Sequence, residues 1–158
     1  MPTVGFAKFV RESAAARDEA LELGRRGLAD VAAFSHRMVI AESPVVDPDL
    51  PGSGRLRASW TISRGTADLR FAPLPAGGGR LPAPPEEATQ AVADAVQLGD
   101  VIWIANGSPC VSTVNDRTSF VDQVIAATTS RAQEIATALS ARVVSGLRAI
   151  QRARARGR

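Results

Sequence analysis

The stretch Ser43-Pro-Val-Val-Asp-Pro-Asp-Leu-Pro-Gly-Ser-Gly-Arg-Leu-Arg-Ala-Ser-Trp-Thr-Ile62 separates a long helical pattern from the first extended segment of the chain. A residue before proline is pushed out of the α region, and proline has no amide donor with which to continue a helix, so Ser43-Pro44 closes what precedes it. Three prolines and two glycines from Pro44 to Gly54 then make a turn-rich connector. Beyond Gly54, residues Leu56, Ala58, Trp60 and Ile62 share one parity, and Arg57, Ser59, Thr61 and Ser63 the other. That alternation predicts a half-buried strand with Trp60 on its core face.

Upstream of this stretch, Thr3 to about Glu42 is predicted as helix. Leu21, Leu28, Val31, Ser35 and Met38, with Phe34 beside them, fall on one stripe. Gly24 and Gly27 each cost about 1 kcal/mol relative to alanine inside a helix. They mark a close helix–helix approach or a kink, or are simply tolerated.

Downstream, Arg64 to Pro85 is broken by Gly65, Pro73, Pro75, Gly77-Gly78-Gly79, Pro82, Pro84 and Pro85. Leu69-Arg70-Phe71 is a candidate short strand, and the remainder is a long loop of the kind that is functional or disordered in a compact domain. Glu86 to Leu98 predicts a helix whose packing face is Ala88, Ala91, Val92, Ala95 and Val96, ended by Gly99. Val101 to Ala105 predicts a strand that is apolar on both faces, which needs a layer on each side. From Arg117, capped by Asp116 or Thr118, to about Gln151 a last helix is predicted. Phe120, Val121, Val124, Ile125, Thr128, Ala132, Ile135, Leu139, Val143, Leu147 and Ile150 form its stripe over about nine turns. A small sheet cannot cover that length, so the end either projects or packs on another subunit. Arg152 to Arg158 reads as a frayed basic tail. The fold class is α+β: a small, mainly antiparallel sheet packed with long N- and C-terminal helices and one short middle helix. One domain spans 1–151, with the tail at 152–158, and core support is expected from Trp60, Trp103, Ile104, Phe120 and Val124.

Ser43-Pro44-Val45 with Asp47, then Gly54-Arg55-Leu56-Arg57-Ala58-Ser59-Trp60, resembles the signature of the tail-completion (neck, or head–tail joining) proteins of long-tailed bacteriophages and gene transfer agents. In that family a compact Thr-Pro-Val-Asp-Thr-Gly precedes a Leu-Arg-x-Ser-Trp-like strand, and here Pro48 to Ser53 makes the connector longer. Ile104-Ala105-Asn106-Gly107-Ser108-Pro109-Cys110 is similar to the family's Ile-x-Asn-x-x-Pro-Tyr segment, with Cys110 where an aromatic is common. The resemblance runs from Val4 to about Ala141. It implies a structural particle protein that assembles as a ring, expected as a hexamer, at the head-proximal end of the tail. There it would end the tail tube or join it to the head connector or stopper protein, leaving a channel for DNA. Its implied location is the host cytoplasm during assembly and then the virion or gene transfer agent particle.

Composition is compatible with such a part. The hydrophobic fraction of 45% and charged fraction of 22% are those of an ordinary globular protein. No segment approaches the roughly 20 apolar residues of a membrane span, and no amino-terminal apolar signal is present, which predicts a cytoplasmic chain without membrane contact. Cys110 is the single cysteine, so no internal disulfide or cysteine-based metal cluster is expected. Net charge is +3, and from Ile135 onward there are six arginines and no acid, which leaves −3 for the rest of the chain. The high pI therefore belongs to the end of the chain.

Several chemistries are set aside on the residues. Asp47-x-Asp49 opens like a calcium loop, but prolines interrupt it and Ala58 stands at the closing glutamate position. Gly52-Ser53-Gly54 and Gly77-Gly78-Gly79 lack the strand, helix and Gly-Lys-Ser/Thr of a phosphate cradle. His36 and Cys110 are the only visible nucleophilic pair, and each is more plausibly structural. Asn106-Gly107-Ser108 matches a glycosylation acceptor, which a cytoplasmic chain never presents to that machinery. No enzyme, cofactor or metal is expected. Candidate subunit or partner contacts are Arg55, Arg57, Arg70, Phe71, Leu74, Arg80, Leu81, Leu147 and Ile150. Candidate DNA or partner contacts are Arg148, Arg152, Arg154, Arg156 and Arg158. The alternative function is a non-specific nucleic-acid-binding module that uses this arginine-rich end, and a third is a small enzyme built on Cys110 and His36.

Overall fold

A computed structural model of the chain describes residues 3–45 and 53–156, with the side chains of 7–45, 53–152 and 155. The elements in order are α1 (Thr3–Glu42), α2 (Arg55–Ala58), β1 (Trp60–Arg64), α3 (Glu86–Ala95), β2 (Ile102–Asn106), α4 (Val111–Thr118) and α5 (Phe120–Arg156). The architecture is α+β. The single antiparallel sheet has two strands, with Trp60 opposite Asn106, Ile62 opposite Ile104 and Arg64 opposite Ile102.

α1 and α5 pack against each other in opposite directions. Thr128 Oγ1 donates to Ser35 Oγ at 2.9 Å, and Arg131 Nη2 pairs with Asp30 at 2.8 Å. Further along, Gly27 lies against Ile135 and Leu139. The over-long end of α5 thus runs beside α1 of its own chain instead of projecting free. Gly27 is the point of closest approach: a Cβ there would lie 2.7 Å from Ile135 Cγ2. A close helix–helix approach is thus realised at Gly27, whereas Gly24 meets Leu98, an exposed residue past the end of α3 (Glu86–Ala95).

The stripe of α1 is centred elsewhere than on its large residues. Ala32, Ala33, Ser35, His36 and Val39 are buried, while Leu21 is exposed. Small side chains let α3 and α5 come close, and the polar ones find partners: Ser35 Oγ also donates to the Val31 carbonyl, and His36 Nδ1 shares a hydrogen bond with Thr89 Oγ1 at 2.9 Å. The same pair explains the face of α3. Thr89, Ala93 and the following Val96 are buried, whereas Ala88, Ala91 and Ala95 are exposed. This helix also ends three residues before the predicted Leu98, because Val96 turns extended and Gly99 takes the left-handed conformation at φ 92°.

Val39, Trp60, Phe120 and Val124 form the core, with Leu56, Ile104, Val114 and others half-buried against it. Trp60 meets Phe120 edge to face, centroids 6.3 Å apart, an arrangement favoured by the ring quadrupoles. Trp103 does not join them. It is 44% exposed, on the sheet face opposite Ile102 and Ile104, and its indole N–H donates to the Gly65 carbonyl at 3.0 Å. On that face the long loop covers β2 only near Ala105 and Gly107, where Thr61 Oγ1 donates to the Asp68 carbonyl, so Val101 and Trp103 face outward despite their apolar character.

Two further boundaries differ from the sequence pattern. The predicted strand before Trp60 is a helical turn: Gly54 sits at φ 81°, its carbonyl accepts from Ala58 N–H at 2.8 Å, and Ser59 Oγ donates back to the Arg55 carbonyl at 2.7 Å. In this turn Leu56 and Ala58 lie about 200° apart around the helix axis, so their shared parity does not put them on one face. The last helix is preceded by a separate one, α4, and the break is Ser119 at φ 53°. Asn115 Oδ1, not Asp116 or Thr118, accepts the Val121 N–H at the start of α5. At its other end α5 continues through the predicted frayed tail to Arg156. No strand forms at Leu69-Arg70-Phe71. The connector at 46–52, with Asp47 and Asp49, lies outside the described residues.

Candidate assembly surfaces

The residues that carry the family resemblance come from three separated stretches, and they meet. Ser43, the first residue past α1, donates its hydroxyl to the Val39 carbonyl at 2.6 Å and accepts the Trp60 indole N–H at 2.6 Å. Arg57 Nη2 donates to the Ser43 carbonyl at 3.2 Å. Asn106 closes the cluster from β2: its Nδ2 donates to the Leu56 carbonyl at 2.8 Å, and its Oδ1 accepts the Ser108 N–H at 2.8 Å. Ser43, Ser59, Trp60 and Ser108 are all buried. Buried polar groups cost stability unless paired, so this knot fixes how α1, α2, β1 and β2 join. Gly107 has a steric role, since a Cβ there would lie 2.0 Å from the Leu69 carbonyl oxygen. It lets the long loop lie directly on the end of β2.

That loop is tied down within its own chain by candidates assigned to the interface. Arg55 Nε donates to the Ala72 carbonyl at 2.7 Å, and its guanidinium lies 3.6 Å over the Phe71 ring. Ala72 N–H donates to Ser59 Oγ at 3.0 Å, and Leu81 N–H to the Ser53 carbonyl at 2.9 Å. Arg55 and Phe71 therefore serve as an internal latch. Arg57, Arg80 and Leu81 line a second feature, a recess of about 430 Å³ beside Val45 and Gly54, where Arg57 Nε is buried without a hydrogen-bond partner. Leu74 and Arg70 stand on the exterior, with Arg70 paired to Asp68. The loop candidates thus divide into a latch, a recess and an exposed rim.

Leu147 and Ile150 lie far from the sheet, where α1 and α5 do not close on each other. They line an open groove of about 630 Å³ together with Phe9, Leu23, Val143 and Gly146. Phe9 and Leu147 are 39% and 54% exposed. Ser13, Ala16 and Ala20 on α1 oppose Gly146, and a Cβ on Gly146 would meet nothing within 4 Å. Small residues facing each other create the space. The contribution of α1 is not apparent from sequence, because Phe9 falls off the stripe of Leu21, Leu28, Val31, Ser35 and Met38. Arg148 and Arg152 are exposed on the same end of α5 and have no ion-pair partner among the described residues. The side chains of Arg154, Arg156 and Arg158 lie outside the described residues.

His36 and Cys110 do not meet as a pair. His36 is buried against Thr89, and burial lowers its pKa below the ordinary 6.5, against smaller opposing effects of the Trp60 backbone and Glu86. Cys110 is exposed, with its Sγ 2.9 Å from Ser108 Oγ. The two residues are thus bonded to different neighbours. Among the described residues no three His, Cys, Asp or Glu side chains group as a metal site, and no helix is long and apolar enough to cross a membrane.

No family model, curated protein or solved structure matches the chain. The function therefore rests on its own residues and geometry.

Proposed function

We infer that this chain is a structural protein of a long-tailed phage or gene transfer agent particle. It forms a ring, a hexamer, at the head-proximal end of the tail, where it ends the tail tube or joins it to the head connector or stopper protein and leaves a channel for DNA. The observation that supports this most is the convergence of the three family-like stretches on one hydrogen-bonded knot through Ser43, Arg57, Trp60 and Asn106. Ser43, Arg57, Trp60 and Asn106 hold one another across these stretches, which gives the signature a structural task. A closed ring needs two different patches on each subunit. The exposed rim of the loop, with Arg70, Leu74 and Arg80, and the end of α5, with Leu147 and Ile150, are candidates on different parts of the molecule. Mass photometry of the purified chain, alone and with its tail tube protein, tests the ring. Six copies of 16.6 kDa, about 100 kDa, are expected, and a chain that stays monomeric with tubes present contradicts it.

A second reading, non-specific nucleic-acid binding, is favoured by Arg148 and Arg152, exposed and without an ion-pair partner among the described residues, on a helix that continues to Arg156. It requires an affinity for duplex DNA that falls steeply with salt and is lost on truncation after Ile150.

A further inference from the structure

The groove between the distal halves of α1 and α5 has a defined shape and a defined charge. It runs alongside both helices from Phe9 and Ile150 to Leu23 and Arg142. Two antiparallel rods with a channel between them present the seat of a third rod. Phe9 to Leu23 spans 14 residues of α1, roughly 21 Å at the helical rise. The floor is apolar or small, so backbone can approach closely at Gly146, Ala16 and Ala20. Arg142 stands in the wall, and Arg148 and Arg152 follow Leu147 and Gln151, about 100° further round the helix. None of these three arginines has an ion-pair partner among the described residues. Arg17 in the α1 wall is paired with Asp18, and Glu19 is the acid that lines the groove. From Ile135 to the end of the chain there is no acid at all.

We propose that this groove docks an amphipathic helical segment of another protein, with apolar anchors on one face and acidic residues flanking them. The apolar floor needs side chains that a phosphodiester backbone does not have, and the concavity does not fit the flat surface of a bilayer. Unpaired guanidinium groups beside the groove favour acidic flanks and disfavour basic ones. The assignment takes the end of α5 for a contact with another protein and not for a subunit contact of the ring, so self-association through Leu147 overturns it and leaves the ring reading standing.

The test is fluorescence anisotropy on the full-length protein with two labelled amphipathic peptides of identical leucine face, one flanked by glutamates and the other by lysines. The acidic peptide is expected to bind at least about tenfold tighter than the basic one. Leu147→Glu, at a site exposed enough to accept it, is expected to weaken the acidic peptide at least about tenfold. Gly146→Leu fills the groove without adding charge and is expected to do the same, which guards against a Leu147→Glu variant that fails to fold. Arg142→Glu should weaken binding and flatten its salt dependence, and Arg117→Glu, exposed on α4, should change neither. Equal binding of the two peptides, no binding, or acidic-peptide binding that survives Gly146→Leu overturns the proposal. So does displacement of the peptide by duplex DNA in a manner indifferent to residue 147, or self-association of the chain that Leu147→Glu abolishes.

Discussion

Replacing Gly24, Gly27 and Gly146 by alanine, one at a time, makes the same chemical change inside two long helices and should move stability in opposite directions. Each substitution relieves the helix-propensity cost of glycine, a gain of about 1 kcal/mol. What differs is the space beyond the new methyl. At Gly27 it lies 2.7 Å from Ile135 Cγ2 and 3.5 Å from Leu139 Cδ1, about 1 Å inside normal carbon–carbon separation. Ile135 is β-branched and held between the helices, so it cannot swing away. Overpacking of this kind costs about 1–3 kcal/mol, and a net loss of up to about 2 kcal/mol is expected after the propensity gain of about 1 kcal/mol. At Gly24 the nearest atom is Leu98 Cδ2 at 3.3 Å, the tip of a side chain that is 48% exposed. It can rotate, leaving a net gain of up to about 1 kcal/mol. At Gly146 nothing lies within 4 Å, and most of the propensity gain of about 1 kcal/mol should survive. Urea unfolding followed by far-UV circular dichroism, with unchanged m-values, reads these differences directly. The melting temperature should move by about 2–4 °C per kcal/mol. A Gly27→Ala variant more stable than the parent, or a Gly146→Ala variant less stable, would refute the packing of α1 on α5.

Four further outcomes follow from other contacts. Ser43→Ala leaves the buried Trp60 indole N–H without its acceptor and should cost about 1–3 kcal/mol in urea unfolding, whereas replacing exposed Trp103 by Phe should cost much less. Gly107→Ala drives a Cβ into the Leu69 carbonyl; residues 68–72 should lose amide-exchange protection as the loop lifts. His36 is held neutral by burial, so the unfolded chain binds the extra proton first: stability should fall as pH drops below about 6.5, and His36→Gln should flatten that slope between pH 7 and 5 measured by urea titration (roughly the window of histidine ionisation). The Glu22 carboxyl, held by hydrogen bonds from Arg25 first and Arg26 second, is lowered to about 2; carbon-detected NMR titration should find it there at low salt and drifting upward in about 1 M salt, where exposed charges are screened.

The long elements were legible because their patterns repeat over many turns. α1 and the body of α5 emerge from periodicity, and β2 from a run of β-branched and aromatic residues with turns on both sides. What stayed hidden depends on partners distant in sequence. Thr89 is read as a polar surface residue until His36, 53 positions earlier, is seen to share its hydrogen bond. Parity alone makes Leu56 and Ala58 look like strand, and only the left-handed Gly54 and the back-bonding Ser59 reveal a helical turn. Trp103 sits in the most apolar segment of the chain, yet its face of the sheet is covered only at the Ala105 end. Of the candidate contacts, Leu147 and Ile150 prove accessible, but Arg55 and Phe71 turn inward on each other. The distal groove needed the N-terminal half of α1 as its second wall, and no local pattern announces that Phe9 faces Ile150.

Assignment to the joint between head and tail is tested most directly by electron microscopy of particles made after deletion of this gene. DNA-filled heads separated from their tails, or free tails of abnormal length, are expected, with tail length distinguishing joining from termination. Deletion particles with normal necks and undiminished infection or gene transfer would contradict the assignment.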